Sequence, residues 1–174
     1  MRLVQTPLVG VLLVEQERLG DERGFFARTY DVEQMPPIVQ MSTSFNARAG
    51  TLRGLHYQRE PHGESKLVRC TRGAIFDVAV DLRSGSPTLH RWFGAELTAE
   101  NGLALLIAPG FAHGFQTLAD DSEILYAMDA PYVGEAAAGA RWDDPAFAID
   151  WPQPPPGGRT MSGRDAAYPD VGGA

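Results

Sequence analysis

The chain has 174 residues, a hydrophobic share of 44%, a charged share of 21% and a formal net charge of −7, values of a globular protein able to bury a substantial core. The acidic balance argues against nucleic acid as the main partner, so an anionic ligand needs a local basic cluster. The single Cys70 cannot form an intramolecular disulfide and reads as a small buried apolar residue rather than a nucleophile.

The run "LVGVLLV" is too short to span a bilayer and ends at Glu15, and the N-terminal stretch lacks the ordered parts of a signal peptide. The expectation is a cytoplasmic protein with neither a membrane nor a nucleic acid as partner. "VGVLLVEQ" leads to a turn at "LGDERG" and then "FFARTY". Further strand-like runs follow: "TLRGLHYQ", "SKLVRC", "AIFDVAVDL", "RWFGAEL", "LALLIA", "HGFQTL" and "SEILYAM". Clusters such as "RSGSP", "AENG", "APG" and "ADD" separate many of them. This spacing predicts an antiparallel sandwich or barrel, with helical turns confined to "DVEQM" and the C-terminal stretch.

Along "AIFDVAVDL" the period-two rule puts Ala74, Phe76, Val78, Val80 and Leu82 on one face and Ile75, Asp77, Ala79 and Asp81 on the other. The second face suits either the wall of a polar cavity or a solvated exterior. After Trp151, "PQPPPGG" reads as a surface connection. Beyond it, "RTMSGRDAAYPD" keeps Met161, Tyr168 and the charged pair Arg164 and Asp165, as a segment folded back onto the body does.

The stretch "TLRGLHYQREPHGESKLVRC" holds more titratable chemistry than two strands and a turn require. Of the four histidines, His62 and His90 read as solvated loop residues. His56 and His113 lie in apolar strands, where a histidine is either hydrogen-bonded structure or a site residue. "PGFAHGF" resembles a cupin-barrel turn, but no His-x-His pair accompanies it. A metal site from His56, His62, Glu64 and His113 requires the loop to fold back.

The ordered set "GDERGFF", "LRGLHYQ", "KLVRC", "FDVAVDLRSGSPT", "LTAEN", "PGFAHGF", "ILYAM", "WDDP", "IDWP" and "MSGRD" resembles the dTDP-4-dehydrorhamnose 3,5-epimerase family from about residue 2 to residue 170. The resemblance implies one all-β domain over residues 1–174: a cupin or jelly-roll antiparallel β-sandwich with short C-terminal helical segments, residues 152–174 folding back over it. It also implies a homodimer acting on a nucleoside-diphosphate sugar, without cofactor or metal. The implied reaction inverts C3 and C5 of a 4-keto-6-deoxyhexose, most commonly converting dTDP-4-dehydro-6-deoxy-glucose to dTDP-4-dehydro-L-rhamnose. Both carbons flank the ketone, so removing either proton gives an enolate that is reprotonated from the other face.

On the matching positions, the resemblance makes His56 the base, Asp165 the carboxylate that orients it, and Tyr126 the acid, with Asp77 a second carboxylate candidate. Lys66 falls near the keto oxygen, and His113 and Tyr132 at the same binding region. Arg23, Gln40, Arg53 and Arg164 hold the diphosphate or base, arginine being suited to phosphate by its planar fork. Arg53 and His56 face opposite ways in an ideal strand, so Gly54 between them predicts a bulge. Arg28, Ser42 and Pro131 depart from the family pattern in the recognition region, which leaves open another nucleotide or inversion at one carbon only. A cupin metalloenzyme and a silent sugar-nucleotide binding module are the alternatives from other classes.

Overall fold

A computed structural model describes residues 1–171. Short runs of alternating side chains, cut by Gly and Pro, build two facing antiparallel sheets of the jelly-roll kind. The six-stranded sheet has the order β1 (Arg2–Gln5), β2 (Val11–Glu15), β10 (Ala104–Ile107), β7 (Lys66–Arg72), β12 (Ser122–Met128) and β5 (Gln40–Asn46). The five-stranded sheet runs β13 (Ala137–Gly139), β6 (Leu52–Gln58), β11 (Phe111–Thr117), β8 (Ala74–Asp81) and β9 (Trp92–Thr98). A separate hairpin, β3 (Arg18–Asp21) and β4 (Gly24–Ala27), pairs only with itself. The helix α1 (Gly163–Ala166) is capped by Ser162, whose hydroxyl accepts from Asp165 N. Among the described residues no helix is long and apolar enough to cross a membrane.

The main core lies between the sheets and includes Val68, Cys70, Ile75, Leu97, Leu105, Phe115 and Ile124. Cys70 is buried there, and burial pushes its thiol up to about 11, as the inert reading of this residue requires. A second core covers the outer face of the five-stranded sheet. Val78, Val80, Leu52 and Leu55 meet Phe147 and Trp151, with Met161 packed against them.

Strand β8 is therefore buried on both faces, and its acidic face points inward rather than to solvent. Asp77 meets His113 there, and Asp81 takes bonds from Arg83, Ser86 and Thr88. Burial opposes the Asp81 charge, yet these bonds outweigh it and hold the carboxyl well below the usual range.

The strands absent from the sequence reading are the marginal ones. β1 and β3 have four residues each, β13 is "AAG", and β5 is "QMSTSFN", whose mostly polar face carries no core signature. "DVEQM" closes a single turn, Met35 N donating to Asp31 O at 3.0 Å, without becoming a helix. The segment after Trp151 returns to the body, Leu52 N donating to Thr160 O and Thr160 N to Gly50 O; residues 172–174 of the segment expected to fold back lie outside the described residues.

Candidate active site

The site starts with a glycine. On β11 His113 and Phe115 are two residues apart, but their partners on β6 are His56 and Arg53, so β6 carries a bulge between them. Gly54 sits in it at φ +127°, and a Cβ there would lie 2.6 Å from Gly114 Cα. Only glycine fits so close an approach. The bulge turns Arg53 and His56 toward the six-stranded sheet together. Arg53 Nε donates to Asn46 Oδ1 of β5 at 2.8 Å, and the His56 ring borders a cavity shared with β5 and β12.

The backbone N–H of Gly54 also donates to Asp165 Oδ2 at 3.3 Å, and Asp165 Oδ1 lies 2.8 Å from His56 Nε2. A ring that donates through Nε2 keeps Nδ1 free to accept a proton. Burial lowers the His56 pKa below its ordinary value, against the pull of Asp165, and the Lys66 charge adds to the lowering. The lowering favours the neutral imidazole, the form able to accept a proton.

The cavity, about 400 Å³, opens between the ends of the two sheets. His56, Gln58, Ala137 and Ala138 come from the five-stranded sheet; Gln40, Ser42, Lys66, Tyr126 and Met128 come from the six-stranded one. Tyr57 of β6, Glu64 and Tyr132 from loops, and Arg164 and Tyr168 from the folded-back segment add to the lining. Burial, and secondly the Asp77 carboxylate, pushes the Tyr126 phenol far above its usual value, so it stays protonated and able to donate. Lys66 Nζ donates to the His56 carbonyl at 3.3 Å. Gln40 Oε1 accepts from Tyr132 N at 3.1 Å, fixing the cavity mouth.

His113 lies deeper. Its Nε2 is 2.7 Å from Asp77 Oδ1, both side chains are almost fully buried, and its ring meets Tyr126 edge-on at 6.0 Å. Arg53 is tied to Asn46 of β5 and does not line the cavity. Arg23 does not reach it: the residue caps the β3–β4 hairpin, pairs with Asp21 and leaves its side chain 84% exposed. Of the departures, Ser42 lines the cavity, Pro131 contributes its carbonyl to Gln58 at the mouth, and Arg28 lies apart, paired with Asp31 at 2.8 Å.

The alternative metal set is not assembled. His113 faces Asp77, Glu64 faces Lys66, and His62 is exposed. Among the described residues no group of three His, Cys, Asp or Glu side chains converges as a metal site. His90 is half-buried against Phe147, 5.7 Å between ring centroids, rather than freely solvated.

The sequence reading gave Tyr57, Gln58 and Tyr168 no part in the site. For Tyr168 the available signal was an aromatic retained in a polar tail. Its ring stands edge-on to His56 at 5.9 Å, and its hydroxyl is buried without a partner.

A β-sandwich cavity with an imidazole on one wall and a phenol on the other defines a class of site able to carry acid–base chemistry. Comparison with known proteins then places the chain. Residues 5–172 match the family model described as dTDP-4-dehydrorhamnose 3,5-epimerase. The Sinorhizobium fredii dTDP-4-dehydrorhamnose 3,5-epimerase is 48% identical over 149 residues, 82% of this chain and 76% of that protein. The Bacillus anthracis enzyme of that name, solved with TDP and PPi bound, superposes with a TM-score of 0.92 at 38% identity, covering 98% of this chain and 99% of that one. The Legionella pneumophila dTDP-6-deoxy-D-glucose-3,5-epimerase, in complex with dTDP-4-keto-L-rhamnose, gives 0.90 at 35%, covering 97% and 92%. A Streptomyces niveus relative, 36% identical over 159 residues (87% of this chain, 76% of that protein), is a dTDP-4-dehydrorhamnose 3-epimerase. This chain belongs to the dTDP-4-dehydrorhamnose 3,5-epimerase family and is an isomerase.

Proposed function

We propose that the chain inverts C3 and C5 of dTDP-4-dehydro-6-deoxy-glucose to give dTDP-4-dehydro-L-rhamnose, without a cofactor, in the cytoplasm. The observation that carries this reading is the placement of His56 and Tyr126 on opposing sheets of one cavity, with Lys66 beside them. His56 Nδ1 takes the proton from a carbon next to the ketone, and Asp165 stabilises the imidazolium. The electron pair moves onto the ketone oxygen, where the Lys66 ammonium meets the enolate charge. Tyr126 returns a proton to the carbon from the other wall, inverting it. His56 then releases its proton to solvent and Tyr126 regains one.

His113 and Tyr132 shape the sugar and nucleotide ends in this reading, while Gln40, Arg53 and Arg164 hold the diphosphate or base. Arg23 joins them across a homodimer. Leu19, Phe25 and Phe26 of the unpaired hairpin are 64%, 56% and 72% exposed, and Met41 and Phe45 of the edge strand β5 are 56% and 52% exposed. Such apolar area on open strands supports pairing with a second copy. A hairpin reaching that copy carries Arg23 toward the partner's cavity. Analytical ultracentrifugation at micromolar concentration is expected to show the dimer; a monomer alone removes this part.

The test of the reaction is a panel of thymidine, cytidine, guanosine and uridine diphosphate 4-keto sugars followed by NMR in deuterated water. The expected result is deuterium at C3 and C5 of the thymidine sugar, with both centres inverted. Exchange at C3 alone favours the second reading, a single-carbon epimerase, for which Ser42 on the cavity wall and the 36% identical 3-epimerase are the supporting observations. Binding without exchange of any sugar identifies a silent binding module.

A further inference from the structure

The epimerase reading leaves Glu64 unused, although its side chain is only 9% exposed and lines the cavity. A carboxylate so nearly buried needs partners, and it has two. Oε1 lies 3.2 Å from Lys66 Nζ, and Oε2 accepts from Gln58 Nε2 at 3.0 Å.

Gln58 is itself committed on every side. Its amide nitrogen also approaches the carbonyls of His62 at 3.1 Å and Pro131 at 3.2 Å, and its oxygen accepts from Val133 N at 2.6 Å. Buried Gln58 therefore holds Glu64, and Glu64 in turn faces Lys66. A lysine ammonium carries three N–H donors on a flexible stem and has no preferred direction of its own. With Glu64 on one side and the His56 carbonyl on another, 3.3 Å away, it stops swinging. Its remaining donor direction is the cavity.

We propose that Glu64 is a positioning residue: backed by Gln58, it holds the Lys66 ammonium beside His56 so that one free N–H meets the ketone oxygen of the 4-keto sugar as the enolate forms. The assignment rests on the epimerase reading of the same cavity. It also orients the substrate. A carboxylate beside Lys66 cancels the net positive charge at that end, so the sugar enters there and the diphosphate stays with Arg164.

A double-mutant cycle tests this on the full chain. Glu64→Ala is expected to lower kcat for deuterium entry roughly 10- to 100-fold, the scale of a slightly misplaced group, with KM little changed because the nucleotide contacts remain. In a Lys66→Ala background the same substitution should change kcat less than about twofold, since the partner it acts through is gone. Equal losses in both backgrounds, or none in the otherwise native chain, overturn the proposal.

Glu64→Gln serves if Glu64→Ala does not fold, and ¹⁵N NMR of the lysine ammonium groups gives a readout independent of turnover. In the native chain the Lys66 ammonium protons should exchange slowly with solvent, and in either Glu64 variant quickly. An unchanged Lys66 signal overturns the proposal. A native chain that shows the protected signal but exchanges no sugar proton refutes the epimerase reading while leaving the Glu64–Lys66 coupling in place.

Discussion

Two histidine–aspartate pairs sit side by side on neighbouring strands. His56 of β6 and His113 of β11 are register partners, and each imidazole Nε2 faces a carboxylate at 2.8 and 2.7 Å respectively. Chemically the pairs are alike; their surroundings are not. The His113 and Asp77 side chains are 5% and 0% exposed, and Asp77 Oδ2 has no hydrogen-bond partner. Burial raises the Asp77 carboxyl above its ordinary value, as expected for a sealed acid whose second oxygen lacks a donor. The His56 side chain is 43% exposed at the cavity wall, against 7% for Asp165. One pair can exchange protons with a ligand and with water, while the other braces the wall behind Tyr126. Residue type alone does not bring an imidazole to a ligand; its surroundings do.

The largest effect expected from breaking this contrast is on turnover. His56→Ala should slow deuterium entry into the 4-keto sugar by about 10²- to 10⁴-fold, with a smaller loss of Tm than His113→Ala because Asp165 keeps the Gly54 N–H as a donor. Comparable turnover in this variant means that His56 is not the base. Tyr126→Phe should block inversion while still permitting exchange, because proton removal needs only the His56 side. An inverted product from this variant takes the acid role away from Tyr126.

Asp165→Asn should lower kcat by roughly 10²-fold through loss of orientation, less than removal of the imidazole. It also sharpens a pH test. The base works when neutral, so activity falls as pH drops through the lowered His56 pKa, and the acid limb of kcat/KM should lie below the free-histidine value of about 6.5. The Asp165 carboxylate raises that pKa, so removing its charge should move the limb lower still. A limb at or above the free value contradicts a base neutralised by burial.

The sealed pair should respond in stability instead. His113→Ala leaves Asp77 buried without its partner and should cost about 3 to 5 kcal/mol, a drop of roughly 10 °C in Tm for a chain of this size. The sign of its pH dependence is set by Asp77. A carboxyl raised in the folded state binds a proton there more readily than in the unfolded chain, so stability falls as pH rises from the ordinary carboxylate value through the raised one. The His113→Ala variant should therefore melt highest at the acid end of that window. A variant that melts like the native chain denies the pair its bracing role.

How much of this was legible in advance varies residue by residue. Period-two alternation in "AIFDVAVDL" marked β8 correctly, because side-chain direction in a strand is a local property. Cys70 read as core because a lone cysteine behaves as a small apolar residue. A bulge at Gly54 was suggested, not settled, by two side chains that the resemblance assigns to one site standing an odd number of residues apart around a glycine. The strands β5 and β13 were not, since a polar or very small edge strand carries no apolar face and exists through its neighbours.

By itself, then, the sequence determined the sandwich, the buried thiol and the concentration of chemistry around His56, because strand period, turn residues and apolar faces act over a few residues. Only the tertiary structure decided which histidine meets the cavity. Asp165 reaches His56 across 109 positions because the segment after Trp151 packs on the outer face of the five-stranded sheet. The same packing buries the outward face of β8, so the acidic face whose direction the sequence left open is the inner one. Arg23 shows the converse: its motif suggested a binding role, but the hairpin that carries it pairs with no other strand and leaves it outside its own cavity. Contacts between distant segments depend on which faces remain to be covered once the sheets have formed, and local pattern does not encode that.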